Sequence, residues 1–481
     1  MCKGTHNFSY IQPTGKNSII YCVSLVYPSY IFRVYIVVGR MKKAVLWGCG
    51  GNMQEYVQKW ICVYAENVVT LQTNQKKRTD MKISKRIDSL SESQTLQIAA
   101  RCQQLRAEGV DVIGLSLGEP DFAAPQHVKE AAKAAVDNNF SHYGPVPGFP
   151  SLREAIAKTL NEELGEHNPQ AFNANEIIVS VGAKHCLCNA IETLVGPGDE
   201  VILPTPCWVS YVEMVKLAEG KSVLVRTTMD NNFCITAEQL EAAITPATRL
   251  LVLCTPNNPT GSVYSHEALV DIVRVLEKHP QICVISDEIY EHILYTGQHE
   301  SLGQFESLKD RLVIINGVSK SHAMTGYRIG WMACHDKGFI SAVKRLQGQQ
   351  CTCATTIAQK AAEAAYTGDQ TCVETMRQAF ERRRNLIIGL AHEIPGWKII
   401  EPQGAFYLFP DVSYYFGKQT PDGHLLNNAN DVVEYLLNEA HVACVSGSAF
   451  GENNCIRLSY ATSEENITEA MRRIKAALAK L

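Results

Sequence analysis

Residues 177–204 read IIVSVGAKHCLCNAIETLVGPGDEVILP. An apolar run of strand length, Ile177–Val181, leads into Gly182-Ala183 and a helix-length stretch. Gly196, Pro197 and Gly198 then punctuate the chain, and a second apolar run follows from Glu200 to Pro204. Two buried strands joined by a helix form the repeating unit of a parallel sheet covered on both faces. The alternation continues with apolar runs at Ser222–Arg226, Arg249–Cys254, Ile282–Ser286, Leu312–Asn316 and Ile329–Cys334, most of them separated by helix-length patterns. Seven such runs predict a large, mostly parallel α/β sheet.

Upstream, Ser141–Pro150 (SHYGPVPGFP) holds three prolines and two glycines and reads as a loop. Helices are expected on either side of it, at about Pro125–Val136 and Ser151–Glu163. Leu96, Ala99, Ala100 and Leu105 fit one helical face ending at Gly109. Val110–Leu117 is a short apolar stretch before a turn at Gly118–Asp121. Downstream, Thr375–Leu481 mixes long helices with shorter strands and reads as a smaller α+β unit.

The chain of 481 residues is long enough for two large domains or about three ordinary ones. Its 46% hydrophobic and 20% charged residues exclude wholesale disorder, and a net charge of −4 gives no basic footprint for nucleic acid. The 17 cysteines are scattered, as expected of reduced thiols in a cytoplasmic protein. The pairs Cys186/Cys188 and Cys351/Cys353 lack His or Cys partners at zinc-finger spacing, so no metal is expected.

The first 80 residues read differently. They hold seven Lys, three Arg, three acids and seven of the 19 Tyr. Ile19–Val38 is long enough to span a bilayer, but Pro28 and Arg33 interrupt it, and no membrane span is expected. No clean secretory or transit signal is present. The working protein is expected to begin at Met81, residues 1–80 being an extension with no identified role.

Four motifs carry chemistry. SVGAKH (180–185) puts small residues and a helix start after a strand, which suits an anion but also occurs as plain structure. CTPNNPTG (254–261) is rich in turn residues. In ISDEIYEHI (285–293), Asp287 directly beyond an apolar run is awkward for a core, although it could cap a helix. In GVSKSHAMTGYRIG (317–330), a Lys after an apolar strand is usually solvated, but Lys320 is flanked by the anion-binding groups Ser319 and Arg328.

In this order, each after a strand, the motifs resemble the class I and II aminotransferases of pyridoxal-phosphate-dependent fold type I. The resemblance covers Met81–Leu481. SLGEPDF, YGPVPGFPSLREAI, PTPCWVSYVEM, TPNNPTG, SDEIYEH, AMTGYRIGW, GAFY and RLSYATSEENI look like the bacterial-type aspartate aminotransferase subgroup, which also includes prephenate aminotransferases. The resemblance implies an α/β fold with a large, mostly parallel seven-stranded sheet domain at residues 127–374. It also implies a smaller α+β domain built from residues 81–126 and 375–481.

It further implies pyridoxal 5'-phosphate as cofactor and assigns roles residue by residue. Lys320 would bond to the cofactor aldehyde and, once freed by an amino acid, shuttle a proton between substrate and cofactor carbons. Asp287 would pair with the protonated ring nitrogen, and Tyr290 and Asn258 would hydrogen-bond the phenolic oxygen. Trp208 would stack on the ring; it and Asn258 would also face the substrate. Gly182, Ala183, Ser319 and Arg328 would hold the phosphate. Tyr143 would reach the phosphate of a neighbouring subunit, implying a homodimer with shared sites.

Arg457 would clamp the substrate α-carboxylate beside Gly118. Lys184 and Thr95 would read a second carboxylate, although Lys184 could be a solvated helix residue and Thr95 a cap. Ser91 and Glu92 stand where some relatives have Lys-Pro, which weakens a prephenate site, and Cys207 replaces an aromatic before the stacking Trp. The expected reaction is transamination of small amino and 2-oxo acids, L-aspartate with 2-oxoglutarate. Alternatives are an aminotransferase for prephenate, aromatic or neutral amino acids, or a β-lyase on the same fold. A transcriptional regulator built on this fold is disfavoured, because no helix–turn–helix pattern is found.

Overall fold

The computed structural model describes residues 7–10, 18–27, 30–39 and 81–481 other than Ser93. For residues 7–39 only the backbone is described, and the side chains of Thr95, Leu96 and Ala99 lie outside the described residues. Two compact units are present, Met1–Ser84 and Lys85–Leu481. In the first, strands Asn7–Tyr10, Ser18–Tyr27 and Tyr30–Gly39 pair antiparallel, with Ser18 opposite Gly39. The bilayer-length stretch Ile19–Val38 thus falls in two strands paired with each other. Among the described residues, no helix is long and apolar enough to cross a membrane.

The second unit contains the seven-stranded sheet. Its strands are β1 (Ile177–Val181), β2 (Glu200–Thr205), β3 (Lys221–Arg226), β4 (Thr248–Cys254), β5 (Cys283–Asp287), β6 (Leu312–Gly317) and β7 (Ile329–Ala333). Their order is β1-β7-β6-β5-β4-β2-β3. All pairs are parallel except those made by β7, which runs antiparallel to both β6 and β1. The β6–β7 link explains the reversal. It holds only the short helix Val318–Ser321 and one further turn of helix, too little chain for the crossover a parallel partner needs.

Residues alternate between the two faces of the sheet. In β4, Leu251 and Leu253 join one buried cluster, whereas Leu250 and Val252 join another. Helices Pro150–Leu164, His266–Lys278 and Thr356–Thr367 cover the first face, and Ala183–Leu194, Ser210–Leu217 and Lys337–Gln350 cover the second. Each fully buried Leu, Ile or Val contributes about 1.5–3 kcal/mol.

A third core gathers helices Thr371–His392, Ala429–Glu439 and Glu464–Leu478 around strands Tyr407–Leu408 and Ile456–Ser459. Leu115 packs in this core, and Ile113–Gly114 pairs in parallel with Val442–Ala443, so the segment before the large sheet joins elements after it. The helix expected to end at Gly109 spans Gln94–Ala107. Of its expected apolar face, Ala100 is exposed; Cys102 is buried instead, against Val112 and Ala443. The four chemical motifs stand where β1, β4, β5 and β6 end, the edge at which open α/β sheets bind ligands.

Candidate active site

At the end of β1, Gly182 has φ +82° and precedes helix Ala183–Leu194. A Cβ there would lie 2.2 Å from Nη2 of Arg328, so no other residue fits without displacing that guanidinium. Arg328 is itself left-handed, at φ 57°. Its Nη1 donates to the Thr325 carbonyl at 2.7 Å and its Nη2 to the Val181 carbonyl at 3.4 Å. The guanidinium therefore lies against the start of a twelve-residue helix, whose free N–H groups and dipole also favour an anion.

Asp287 ends β5 and is only 3% exposed. The Tyr211 hydroxyl donates to its Oδ2 at 2.6 Å, and the Ile289 amide donates to its Oδ1 at 3.3 Å. Burial pushes the carboxyl up to about 6, against the pull of those two donors. A protonated ring nitrogen beside this oxygen would supply the missing cation.

A second cluster joins β4, β5 and the third core. Tyr290 Oη lies 2.9 Å from Tyr407 Oη and 3.5 Å from Asn258 Nδ2. The Asn258 carbonyl accepts from Nη1 of Arg457 at 2.8 Å, and Arg457 Nη2 donates to the Ser116 carbonyl at 2.7 Å. Arg457 is 2% exposed, its guanidinium faces the Tyr407 and Phe450 rings, and its buried Nε has no hydrogen-bond partner among the described residues. Among the described residues no carboxylate balances this buried cation within hydrogen-bond reach, which suits it to an incoming one.

Lys320 sits in the short helix after β6, and its Nζ donates to the Gly118 carbonyl at 2.6 Å. Burial lowers its pKa to about 8, opposed by Glu119 and reinforced by Arg328 and Arg457. A neutral amine is thus accessible near physiological pH. Lys184, in the first turn of its helix, extends over the Trp208 ring with Nζ 4.8 Å from its centre. Partial burial and then Arg328 lower its pKa, although much of the side chain is exposed.

The structure therefore gathers Gly182, Lys184, Trp208, Asp287, Asn258, Tyr290, Lys320, Arg328, Arg457 and Gly118 into two linked clusters, with Ala183 and Ser319 adjoining them in sequence. It does not bring Tyr143 to them; that side chain is 90% exposed on its loop. Thr95 lies in helix Gln94–Ala107, its side chain outside the described residues. Sequence reasoning missed the direct roles of Tyr211 and Tyr407. Both stand inside quoted motifs, but nothing in their spacing separates a buried hydroxyl with a polar partner from a core aromatic. The donor set fits a phosphorylated, nitrogen-bearing aromatic cofactor, with an arginine and a helix start for the phosphate, a buried acid for the nitrogen and, beyond, a buried guanidinium whose Nε is unpaired among the described residues.

Comparison with known proteins agrees. The family described as aminotransferase class I and II matches residues 110–474. The aspartate aminotransferase of Geobacillus stearothermophilus is 46% identical over 400 residues, 82% of this chain and 98% of that relative. The bifunctional aspartate aminotransferase and glutamate/aspartate-prephenate aminotransferase of Petunia hybrida is 42% identical over 416 residues, 85% of this chain and 86% of that relative. Among solved structures, the aspartate aminotransferase of Rhizobium meliloti superposes with a TM-score of 0.80 at 41% identity, covering 83% of this chain and 99% of that one. That of Thermus thermophilus with maleate gives 0.76 at 39% identity, covering 82% and 99%.

Proposed function

The chain belongs to the class I and II aminotransferases, pyridoxal-phosphate-dependent enzymes, and from that premise we propose that it transfers the amino group of L-aspartate to 2-oxoglutarate, giving oxaloacetate and L-glutamate. The observation that carries the choice of substrate is the pair of cations at the site. Arg457 is buried with an orphaned Nε, and Lys184 leans over Trp208. One α-carboxylate and one side-chain carboxylate match two such groups. Relatives named aspartate aminotransferase, one of them solved with the dicarboxylate maleate, support the reading.

When bound, the cofactor supplies an electron sink for the carbanion left by the substrate α-proton and carries the amino group between the two acids. The protein's residues do the rest. Asp287 would accept the hydrogen bond of the protonated ring nitrogen and keep it charged. Asn258 and Tyr290 would donate to the phenolic oxygen, and Trp208 would cover one ring face. Gly182, Ala183, Ser319 and Arg328 hold the phosphate. Arg457 forks onto the α-carboxylate, which fixes the α-proton's direction. Lys320, as the neutral amine, would take that proton at Nζ, and the Gly118 carbonyl would hold its ammonium form.

Residues 81–126 and 375–481 are taken as the small domain and 127–374 as the large one. The working unit is a cytoplasmic homodimer in which Tyr143 completes the partner's phosphate site. Its exposure in a single chain agrees with this. Purified protein tested with a panel of amino donors against 2-oxoglutarate and oxaloacetate should prefer aspartate and glutamate. A preference for alanine or phenylalanine overturns the dicarboxylate reading. Pyruvate and ammonia formed without an acceptor would identify a β-lyase. Prephenate belongs in the panel, because relatives such as that of Nitrosomonas europaea are named aspartate/prephenate aminotransferase.

A further inference from the structure

We propose that Tyr211 is the positioning residue that holds the Asp287 carboxylate aimed at the cofactor's ring nitrogen. The inference rests on the role given to Asp287 above. Tyr211 opens no pocket and touches no substrate position; it acts through the acid. Its ring is 2% exposed in the apolar cluster with Cys207, Met214, Val215 and Ile285, where a hydroxyl has few polar partners. It spends that hydroxyl on Asp287 Oδ2 at 2.6 Å, short for a neutral donor and typical of a bond to a charged oxygen.

The geometry gives the bond two consequences. Oδ1 is held by the Ile289 amide at 3.3 Å and Oδ2 by Tyr211, so one donor on each oxygen fixes the plane of the carboxylate. Trp208, from the same Pro-Cys-Trp turn, meets the Tyr211 ring edge-on, with centroids 5.5 Å apart and planes at 86°. One residue thus sets both the acid at the ring's nitrogen edge and the aromatic at its face. Cys254 meets the same hydroxyl from β4, and Cys186, Glu288 and Lys320 are the other titratable groups around the acid. None of these gives Asp287 a hydrogen bond that could replace Tyr211.

The test compares Tyr211→Phe with the parent, both stripped of cofactor. Tyr211→Phe should bind pyridoxal phosphate about tenfold more weakly and, when loaded, lose about tenfold in kcat, with KM for the amino donor changed less than about twofold. An analogue with carbon in place of the ring nitrogen should bind both proteins equally. In an Asp287→Asn background, Tyr211→Phe should add no further loss. Unchanged cofactor affinity, equal losses for cofactor and analogue, or additive losses in the double variant would each overturn the proposal. If Tyr211→Phe does not fold, Tyr211→His, which keeps a donor, replaces it. Affinity near the parent's then supports the proposal, and a loss as large as that of Asp287→Asn overturns it. If Asp287→Asn itself leaves affinity and kcat intact, the reading of the site fails rather than that of Tyr211.

Discussion

Arg457 donates through Nη1 to the side-chain oxygen of Asn258 at 2.8 Å, so the proposed substrate clamp and a proposed cofactor ligand share a hydrogen bond. Asn258 in turn points its amide nitrogen at Tyr290, 3.5 Å away. A planar fork can hold Asn258 with one N–H and a carboxylate with others, whereas an ammonium is a point charge. Arg457→Lys should therefore lower kcat/KM by about 100-fold for acidic and neutral donors alike, about 2.7 kcal/mol. Steady-state kinetics with aspartate and alanine check this; a loss confined to aspartate would place Arg457 at the side-chain carboxylate instead.

Lys320→Ala should abolish transamination by orders of magnitude while the fold and phosphate binding survive. The visible absorbance of the lysine-linked cofactor should vanish. In the parent, the amine titrates near 8, below an ordinary lysine, because burial disfavours its charge. Bond formation with an aldehyde needs the neutral amine, and the neutral fraction grows as pH rises. Cofactor uptake by the stripped protein should thus accelerate about tenfold per pH unit up to about 8 and then level. Stopped-flow absorbance measures it. A rate still climbing through pH 9 or 10 would show an unshifted lysine.

The four motifs were legible because each stands at a strand end, where a polar residue breaks an apolar run. Asp287 and Lys320 are conspicuous for that reason. Direction along the sheet was not legible. Ile329–Ala333 has the same apolar pattern as its neighbours, and only the short link from β6 makes it antiparallel. Tyr211 and Tyr407 were hidden by their own chemistry, since an aromatic on a helix or a short strand reads as core until its hydroxyl's partner is seen. Cys102, buried where Ala100 was expected, turned on packing against Ala443, more than 300 residues away in sequence.

Gly118 has no room for a side chain. A Cβ there would stand 2.5 Å from the Tyr407 hydroxyl. That hydroxyl bonds Tyr290, and the Gly118 carbonyl holds Lys320. Gly118→Ala should push Tyr407 away from Tyr290 and shift the amine, lowering kcat/KM by about 10–100-fold with little loss of thermal stability. Tyr407→Phe in the same background should restore part of the activity, because it removes the atom that clashes. No recovery would mean that the damage runs through Lys320 alone.

Removing residues 1–80 should leave activity and assembly unchanged. The compact unit that bears the site begins at Lys85, and relatives matched over 98–99% of their own length cover only 82–83% of this chain. Activity and light scattering of the shortened protein test this. Insolubility or a loss beyond a fewfold would make the N-terminal unit part of the working structure.

Aspartate carries two negative groups, and Arg457 can account for one. Leaving the other without a partner once the bound substrate has shed water would weaken binding. Lys184 is placed to meet it. It follows the Gly182–Ala183 cradle by one residue, its Nζ lies 4.8 Å from the centre of the Trp208 ring, and Arg328 adds to the burial that lowers its pKa. An arriving carboxylate would relieve both penalties. Lys184→Ala should lower kcat/KM for aspartate and glutamate by about 10–100-fold, about 1.4–2.7 kcal/mol, and hardly change it for alanine or phenylalanine, whose side chains have no use for the amine. Raising the salt concentration should erode the parent's preference for acidic donors and leave the variant's selectivity flat. Equal losses for acidic and neutral donors would mean that Lys184 serves the cofactor phosphate or the fold. No loss for either would make it a surface lysine, and recognition of the second carboxylate would then fall to Thr95 or another residue.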